Sequence, residues 1–467
     1  MKKHYVLLFF CFIITAGKAQ IINIPDANFK SQLLFANTGS ITASDANGNH
    51  IRIDTNNDGQ IEVSEALTVY SLDVSSSNIA TLTGIEAFTN LTNLRCFSNS
   101  LTSLDVTNLV NLSTLWCEDN AITALNTGVL TQLTGLYCWD NAIGSLDLSN
   151  SPGLIQLDCY NNQLTNLNLT GLTGLTLLRC QGNMIPTLDI SGSTNLHTFY
   201  CNNNVLTNLD VTNFTNLQDL RCENNALTEL NLTGANNLYY LTCHHNQLTS
   251  LSFTGLVNLG LINCSYNNLT TVDISDMGHE ISLPPWVVIN CSYNPNLATI
   301  NTKDSCRMVT DYDFKHANTH NPEIPPPPPT TSINFMGTPN LQYFCADANE
   351  LTYVQNKIDT VGYTNPNCLL SSTCEFLLTT ENPATVLDFA RVYPNPFSSA
   401  FSLDVNPFGN EVIRVSVYDM TGKLIEKTEG NPTEMQLVRF GQKYASGLYN
   451  VVVSQGEAIH TLRIIKR

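Results

Sequence analysis

The hydrophobic residues of this chain recur on a fixed grid. One unit reads Leu112-x-x-Leu115-x-Cys117-x-x-Asn120-x-Ile122-x-x-Leu125, and the next reads Leu133-x-x-Leu136-x-Cys138-x-x-Asn141-x-Ile143-x-x-Leu146. Cysteines stand at 96, 117, 138, 159, 180, 201, 222, 243 and 264, twenty-one residues apart, and an asparagine follows each three residues later, from Asn99 to Asn267. A period near twenty residues belongs to a stacked solenoid, whose units bury their apolar faces only against their neighbours. Around each cysteine the side chains alternate. This predicts short strands in one parallel sheet, with Leu115 and Cys117 pointing inward and Thr114, Trp116 and Glu118 pointing out.

The polar exception within the grid has a physical reason. Each rung turns a corner after its strand and leaves backbone groups without sheet partners inside the coil. An asparagine amide can supply those partners, and each buried group left unsatisfied would cost about 1 to 3 kcal/mol. From these positions the chain resembles the leucine-rich repeat over Val69 to Leu297, with cysteine in the third leucine position, and is similar to the internalin-like solenoids of secreted bacterial proteins. That resemblance implies a parallel β-sheet on the concave face. Val74 and Ser77 mark an imperfect first rung, and Cys291 and Asn294 one displaced by six residues. Leu341, Phe344, Ala346, Asn349 and Leu351 mark a detached last one.

The cysteine ladder has two readings in an exported chain. Neighbouring rungs at about 4.8 Å bring Cα atoms within bridging range. In-register side chains on parallel strands point the same way, however, which favours buried thiols acting as small apolar fillers over bridges. Equal spacing does not suit zinc, which needs clustered ligands. Outside the ladder, Cys306, Cys345, Cys368 and Cys374 allow three pairings between which the sequence does not choose.

The flanks differ from the array. Residues 1–19 read as a secretory signal, with Lys2 and Lys3, an apolar run from Val6 to Thr15 and Gly17-Lys18-Ala19 before Gln20. Residues 20–66 read as an N-terminal cap, in which Asp26 caps a short helix carrying Phe29, Leu33 and Leu34 on one face. The same cap contains Asp54-x-Asn56-x-Asp58-Gly59-Gln60-Ile61-Glu62-x-x-Glu65, a calcium-loop pattern. Its oxygens would come from Asp54, Asn56, Asp58, the Gln60 carbonyl and both oxygens of Glu65, with Glu62 acting through water; Gly59 permits the turn and Ile61 anchors it. The other reading is a plain Asn/Asp-rich turn. His50-Ile51-Arg52-Ile53 alternates like a strand, so the helix that normally enters such a loop is missing. The expected metal is a structural calcium that clamps the cap to the array.

Repeats are expected over residues 67–300. A Pro-rich insertion and C-terminal cap follow over 301–378, containing Pro325 to Pro329 and a helix from Glu350 to Thr360; a linker covers 379–390. In residues 391–467, Val392 to Phe397, Val415 to Lys423, Gly447 to Val451 and Ile464 to Lys466 read as strands with tight turns, about seven in an all-β immunoglobulin-like sandwich. This tail resembles the C-terminal sorting domain of the bacterial type IX secretion system. The resemblance implies passage across the outer membrane, removal of the tail, and release from or attachment to the cell surface.

Charge narrows the function. The chain carries a net charge of −18. From Gln20 to Ala390 nine Lys and Arg face thirty-two Asp and Glu, whereas the tail carries nine against seven. An acidic body repels phosphate backbones, so nucleic acid is not an expected partner. No later apolar run is long enough to span a bilayer.

On the outward strand face, Phe97, Trp116, Tyr137, Trp139 and Tyr160 form an aromatic patch with Glu118 and Asp158 beside it. Such a patch suits a protein or glycan ligand, or else stabilises the sheet through cross-strand stacking. Catalytic motifs are missing: there is no His-Glu-x-x-His, no Gly-x-Ser-x-Gly and no phosphate loop. His316 and His320 read as a solvated loop, and adjacent His244 and His245 as one facing out and one facing in. The expectation is a monomeric, exported, non-enzymatic binding module. Its rivals are a surface spacer without a ligand and a glycan hydrolase working from Glu118 and Asp158.

Overall fold

The computed structural model describes residues 20–275, 277, 287–303, 332–348, 350–359, 368–373, 390–393, 397–405, 412–419, 423–435, 437–455 and 458–467. The signal-like segment, the proline run, His316, His320, Cys306, Cys374 and all but Ala390 of the 379–390 linker lie outside them. The chain divides into two compact units, 1–374 and 375–467.

Alternation around each cysteine produces three-residue strands, and the 21-residue period sets their register. Thr114 pairs with Gly135, Gly135 with Gln156, Gln156 with Leu177 and Leu177 with Thr198. Thirteen strands join in chain order into one sheet, parallel throughout except where Ala43–Ser44 runs antiparallel to Ser71–Asp73 at its start. The inward leucines and cysteines are fully buried in one continuous core that runs from Ile24 to Ile358. Further parallel pairs, such as Ser103–Asp105 with Ala124–Asn126, repeat on a second row.

Each asparagine ties two rungs together. Asn120 Nδ2 donates to the Cys117 carbonyl and to that of Cys96, both at 3.1 Å, while its Oδ1 accepts from Leu101 N–H at 3.0 Å. The residue before each asparagine takes the left-handed backbone conformation, from Asp119 (φ 54°) through His245 (φ 52°) to Tyr293 (φ 54°). The ladder crosses the irregular 27-residue step unbroken, since Asn294 Nδ2 lies 3.1 Å from the Cys264 carbonyl.

The last rung differs from the expected one. Ser332–Asn334 supplies the strand beside Val288–Asn290, with Ile333 and Phe335 buried where leucine and cysteine stand elsewhere. Phe344 lies in Tyr343–Cys345, which pairs with Thr299–Asn301 on the second row. The asparagine position of this rung holds Thr338, whose hydroxyl donates to the Phe335 carbonyl at 2.7 Å. Without Cys or Asn to anchor the reading, the Leu-x-x-Phe-x-Ala motif matched the wrong row.

At the N-terminus, Asp26 caps the helix Ala27–Phe35 through Phe29 N–H at 2.9 Å and reaches Ala80 N–H on the first rung at 2.8 Å. Phe29 and Leu33 are buried and Leu34 half-buried. His50 to Ile53 forms no strand; His50 makes only an isolated bridge to Ser44. A helix covers Leu351–Ile358.

The second unit holds seven strands among its described residues, in two antiparallel sheets. One is built from Ala390–Tyr393, Phe401–Val405 and Arg439–Phe440, the other from Leu424–Gly430, Ile413–Asp419, Gly447–Gln455 and Ala458–Lys466. Its core is separate, centred on Phe397, Phe401, Phe440 and Val415.

Candidate functional site

Strand register places the outward side chains in rows, one residue per rung. One row runs Arg95, Trp116, Tyr137, Asp158, Arg179, Tyr200, Arg221. The row two residues on runs Phe97, Glu118, Trp139, Tyr160, Gln181. Trp116 and Tyr137 stack with centroids 5.3 Å apart and planes 9° apart; Trp139 and Tyr160 do the same at 5.3 Å and 5°. Tyr137 meets Trp139 edge-on at 6.1 Å, which joins the two rows. Four of the five predicted residues thus make one continuous aromatic contact. Phe97 is half-buried beside Glu118 and joins no ring stack among the described residues.

Rungs about 4.8 Å apart force rings on successive strands to stand face to face. Each of these rings therefore spends one face on its neighbour. The cations do likewise: the Arg95 guanidinium lies 4.6 Å from the Trp116 centroid, and Arg221 and Arg179 lie 4.4 and 5.6 Å from that of Tyr200. Gly135, which the sequence reading passed over, makes room for this arrangement. A Cβ there would lie 3.1 Å from Tyr137 Cε2, closer than an ordinary contact, so a larger residue would require the ring to shift.

Between the rings sit polar groups with unspent bonding capacity. Glu118, Asp158 and Gln181 are at most 9% exposed, yet Glu118 Oε2, Asp158 Oδ1, Gln181 Oε1 and Arg179 Nε have no hydrogen-bond partner among the described residues. Burial pushes the Glu118 carboxyl up to about 7, against a hydrogen bond from its own backbone N–H and the weaker pull of Arg95. Asp158 is also raised by burial, with Arg179 opposing.

A second aromatic stack lies further along, where none was expected. His245, Tyr266 and Tyr293 occupy the left-handed ladder position and stack at 4.1 and 4.4 Å. The left-handed turn keeps His245 on the outside, exposed and 5.2 Å from the His244 ring, so neither histidine points into the core. Burial and His245 depress His244 to about 4.

In the N-terminal loop, Asp54 accepts from Asp58 and Gly59 N–H, Asn56 from Asp58 N–H, and Asp58 from Gln60 N–H, at 2.8 to 3.2 Å. Asn57 and Gly59 are left-handed and Ile61 is buried. This is a tight carboxylate-capped turn whose donor set is all oxygen, the chemistry calcium takes. Glu65 instead directs Oε1 to Thr55 N–H at 2.7 Å and Oε2 to Glu62 N–H at 3.1 Å, capping Val63–Ala66. Among the described residues no group of three or more His, Cys, Asp or Glu converges as a metal cage. Contact with Glu65, followed by burial, raises the Glu62 carboxyl.

All ten ladder cysteines, Cys96 to Cys291, are free, buried thiols. Cys345 is in a disulfide and Cys368 is free.

Residues 391–467 match the family described as the secretion system C-terminal sorting domain. The chain joins this sorting domain to a solenoid of leucine-rich-repeat fold. Its sorting domain indicates delivery to the cell surface or beyond, and among the described residues no helix is long and apolar enough to cross a membrane. The fold is that of the functional domain of InlJ from Listeria monocytogenes, described as including a cysteine ladder: 23% identity over 97% of this chain and 99% of that one, TM-score 0.50. An internalin, InlF, from Listeria monocytogenes matches at 21% identity over 72% of this chain and 93% of that one, TM-score 0.42. YopM from Yersinia pestis matches at 20% over 60% and 77%, TM-score 0.38. No curated protein matches the chain.

Proposed function

We propose that this exported repeat protein is a recognition module that captures a protein or glycan ligand on its strand face, around Phe97, Trp116, Tyr137, Trp139 and Tyr160. The observation that carries this reading is the set of buried polar atoms without partners among those rings, because such groups gain most when a ligand satisfies them. Four of the five rings, all but Phe97, are held by stacking, so little side-chain entropy is lost on binding. Stacking also favours a second reading, a stiff surface spacer whose rings only stabilise the sheet. Hydrolysis has less support, since Glu118 and Asp158 are both shifted upward and do not divide into an acid and a base. Calcium at Asp54, Asn56, Asp58, Gln60 and Glu65 is proposed as structural; to ligate, Glu65 would leave its amide partners.

The test is binding of the full-length chain to glycan and host-protein arrays. A ligand that is captured by the wild type and lost by the Trp116→Ala, Trp139→Ala double variant supports recognition at this face. A ligand that the variant retains moves the site elsewhere, and no ligand at all supports the spacer.

A further inference from the structure

Carboxylates on the strand face come with their own partners. Asp73 lies 3.9 Å from Arg95, Asp158 3.5 Å from Arg179 and Asp219 3.1 Å from Arg221. Glu223 takes the hydroxyl of Thr242. Glu118 breaks the pattern. Its Oε2 is buried without a partner, and the nearby guanidinium, that of Arg95, lies over the Trp116 ring with its Nη1 toward Asp73. Register puts Phe97 on one side of Glu118 and Trp139 on the other: the Ser98 amide bonds the Glu118 carbonyl and the Asp119 amide that of Trp139.

We propose that Glu118 is the anchor for a cationic side chain, arginine or lysine, of a protein ligand, seated against the rings of Phe97 and Trp139. The proposal rests on the reading of the strand face as a recognition surface and names the chemistry of its partner. Three observations favour a cation over a sugar. The unspent atoms are mostly acceptors, Glu118 Oε2, Asp158 Oδ1 and Gln181 Oε1, against the single donor Arg179 Nε. Ammonium and guanidinium groups bring donors alone, whereas hydroxyls bring acceptors that would compete for the same few donors.

Elsewhere on this face the chain already uses the same combination. Arg179 and Arg221 sandwich Tyr200 next to Asp158 and Asp219, which makes ring, guanidinium and carboxylate a recurring unit that Glu118 lacks only in its cation. Finally, the acidic body steers cations toward the solenoid.

The probe is an N-acetylated tetra-arginine amide, titrated calorimetrically into the full-length chain. Glu118→Gln keeps the shape and removes the charge; Glu229→Gln makes the same charge change on an exposed residue of the second row. Glu118→Gln is expected to weaken binding about tenfold while Glu229→Gln leaves it near the wild-type value, since one charge-assisted contact is lost. Equal weakening by both variants would show only general attraction to an acidic surface and overturn the proposal, as would no change in either.

A second measurement avoids mutation. Cation binding requires ionised Glu118, whose charged neighbours are Arg95, Asp119 and Asp158, so wild-type affinity should rise from pH 6 to pH 8. A flat profile would count against the site. A ligand found on the arrays that depends on Trp116 and Trp139 but not on Glu118 would sink this inference and leave the recognition reading standing. If tetra-arginine and every array ligand bind the double tryptophan variant unchanged, the recognition reading itself falls.

Discussion

The side chain of Asn162 joins its own rung to the one before: its Nδ2 lies 3.0 Å from the Cys138 carbonyl, twenty-four residues earlier in the chain. The same nitrogen holds the Cys159 carbonyl at 3.1 Å, and Oδ1 takes Ile143 N–H at 3.0 Å. Leucine at this position would bury more apolar surface yet leave Ile143 N–H unpaired and remove one of the two asparagine donors from each of the Cys138 and Cys159 carbonyls, which keep Asn141 and Asn183. Asn162→Leu should therefore destabilise the solenoid by about 1 to 3 kcal/mol, measured by urea denaturation. Because each rung touches only its neighbours, hydrogen exchange should quicken first in the rungs around residue 162. A variant as stable as the wild type would show that the ladder is not a stability device.

Glu118 sets a pH dependence whose sign follows from its raised carboxyl. The folded chain holds this proton up to about pH 7, whereas an unfolded glutamate loses it near the ordinary carboxylate value. Over that interval the folded state binds more protons, so this group makes stability fall as pH rises, and its cost is fully present above pH 7. Glu118→Gln should melt higher than the wild type at pH 8, with the gap closing toward pH 4. His244 works in the opposite sense to an ion-paired histidine. Held neutral down to about pH 4 by burial and His245, it costs stability as pH falls below the ordinary histidine range, and His244→Gln should remove that part of the acid sensitivity.

The thiol ladder should be inert in the native protein. Burial raises every one of its cysteines, Cys180 to about 12, so thiolate is scarce and access is closed. An alkylating reagent followed by mass spectrometry should leave Cys96 to Cys291 unmodified in buffer and modify all ten in denaturant. Half-exposed Cys368 should react before any of them. Rapid native labelling of the ladder would mean that the rungs open far more often than this packing allows.

Metal at the N-terminal cap has a separable signature. Adding calcium after chelation should raise the melting temperature of the full-length chain, because a ligand bound only by the folded state stabilises it by mass action. Glu65→Gln should abolish that response. It should also lower the baseline stability slightly, since Glu65 caps the helix Val63–Ala66 without any metal. Identical melting in calcium and in chelator would reduce the loop to a structural turn.

Much of this was legible in the sequence because a repeat states the same constraint many times. The spacing of Cys96 through Cys264 determined the rungs, the inward leucines, the role of the asparagines and the outward rows on which Trp116, Tyr137, Trp139 and Tyr160 lie. Where repetition stops, so does the signal. The last rung carries Phe335 and Thr338 in place of Cys and Asn, and only pairing with Val288–Asn290 identified it. The outward position of His245 depended on a left-handed backbone that alternation does not foresee.

Sequence alone thus determined which side chains leave the sheet, since in a strand that depends only on odd and even positions. Tertiary structure decided what they do once there. Whether a ring offers its face or its edge, and whether Glu118 finds a cation while Asp158 finds Arg179, depends on neighbours about 4.8 Å away across the sheet and twenty-one residues away in the chain. Those neighbours compete for the same contacts, and only the packed rows show which of them win.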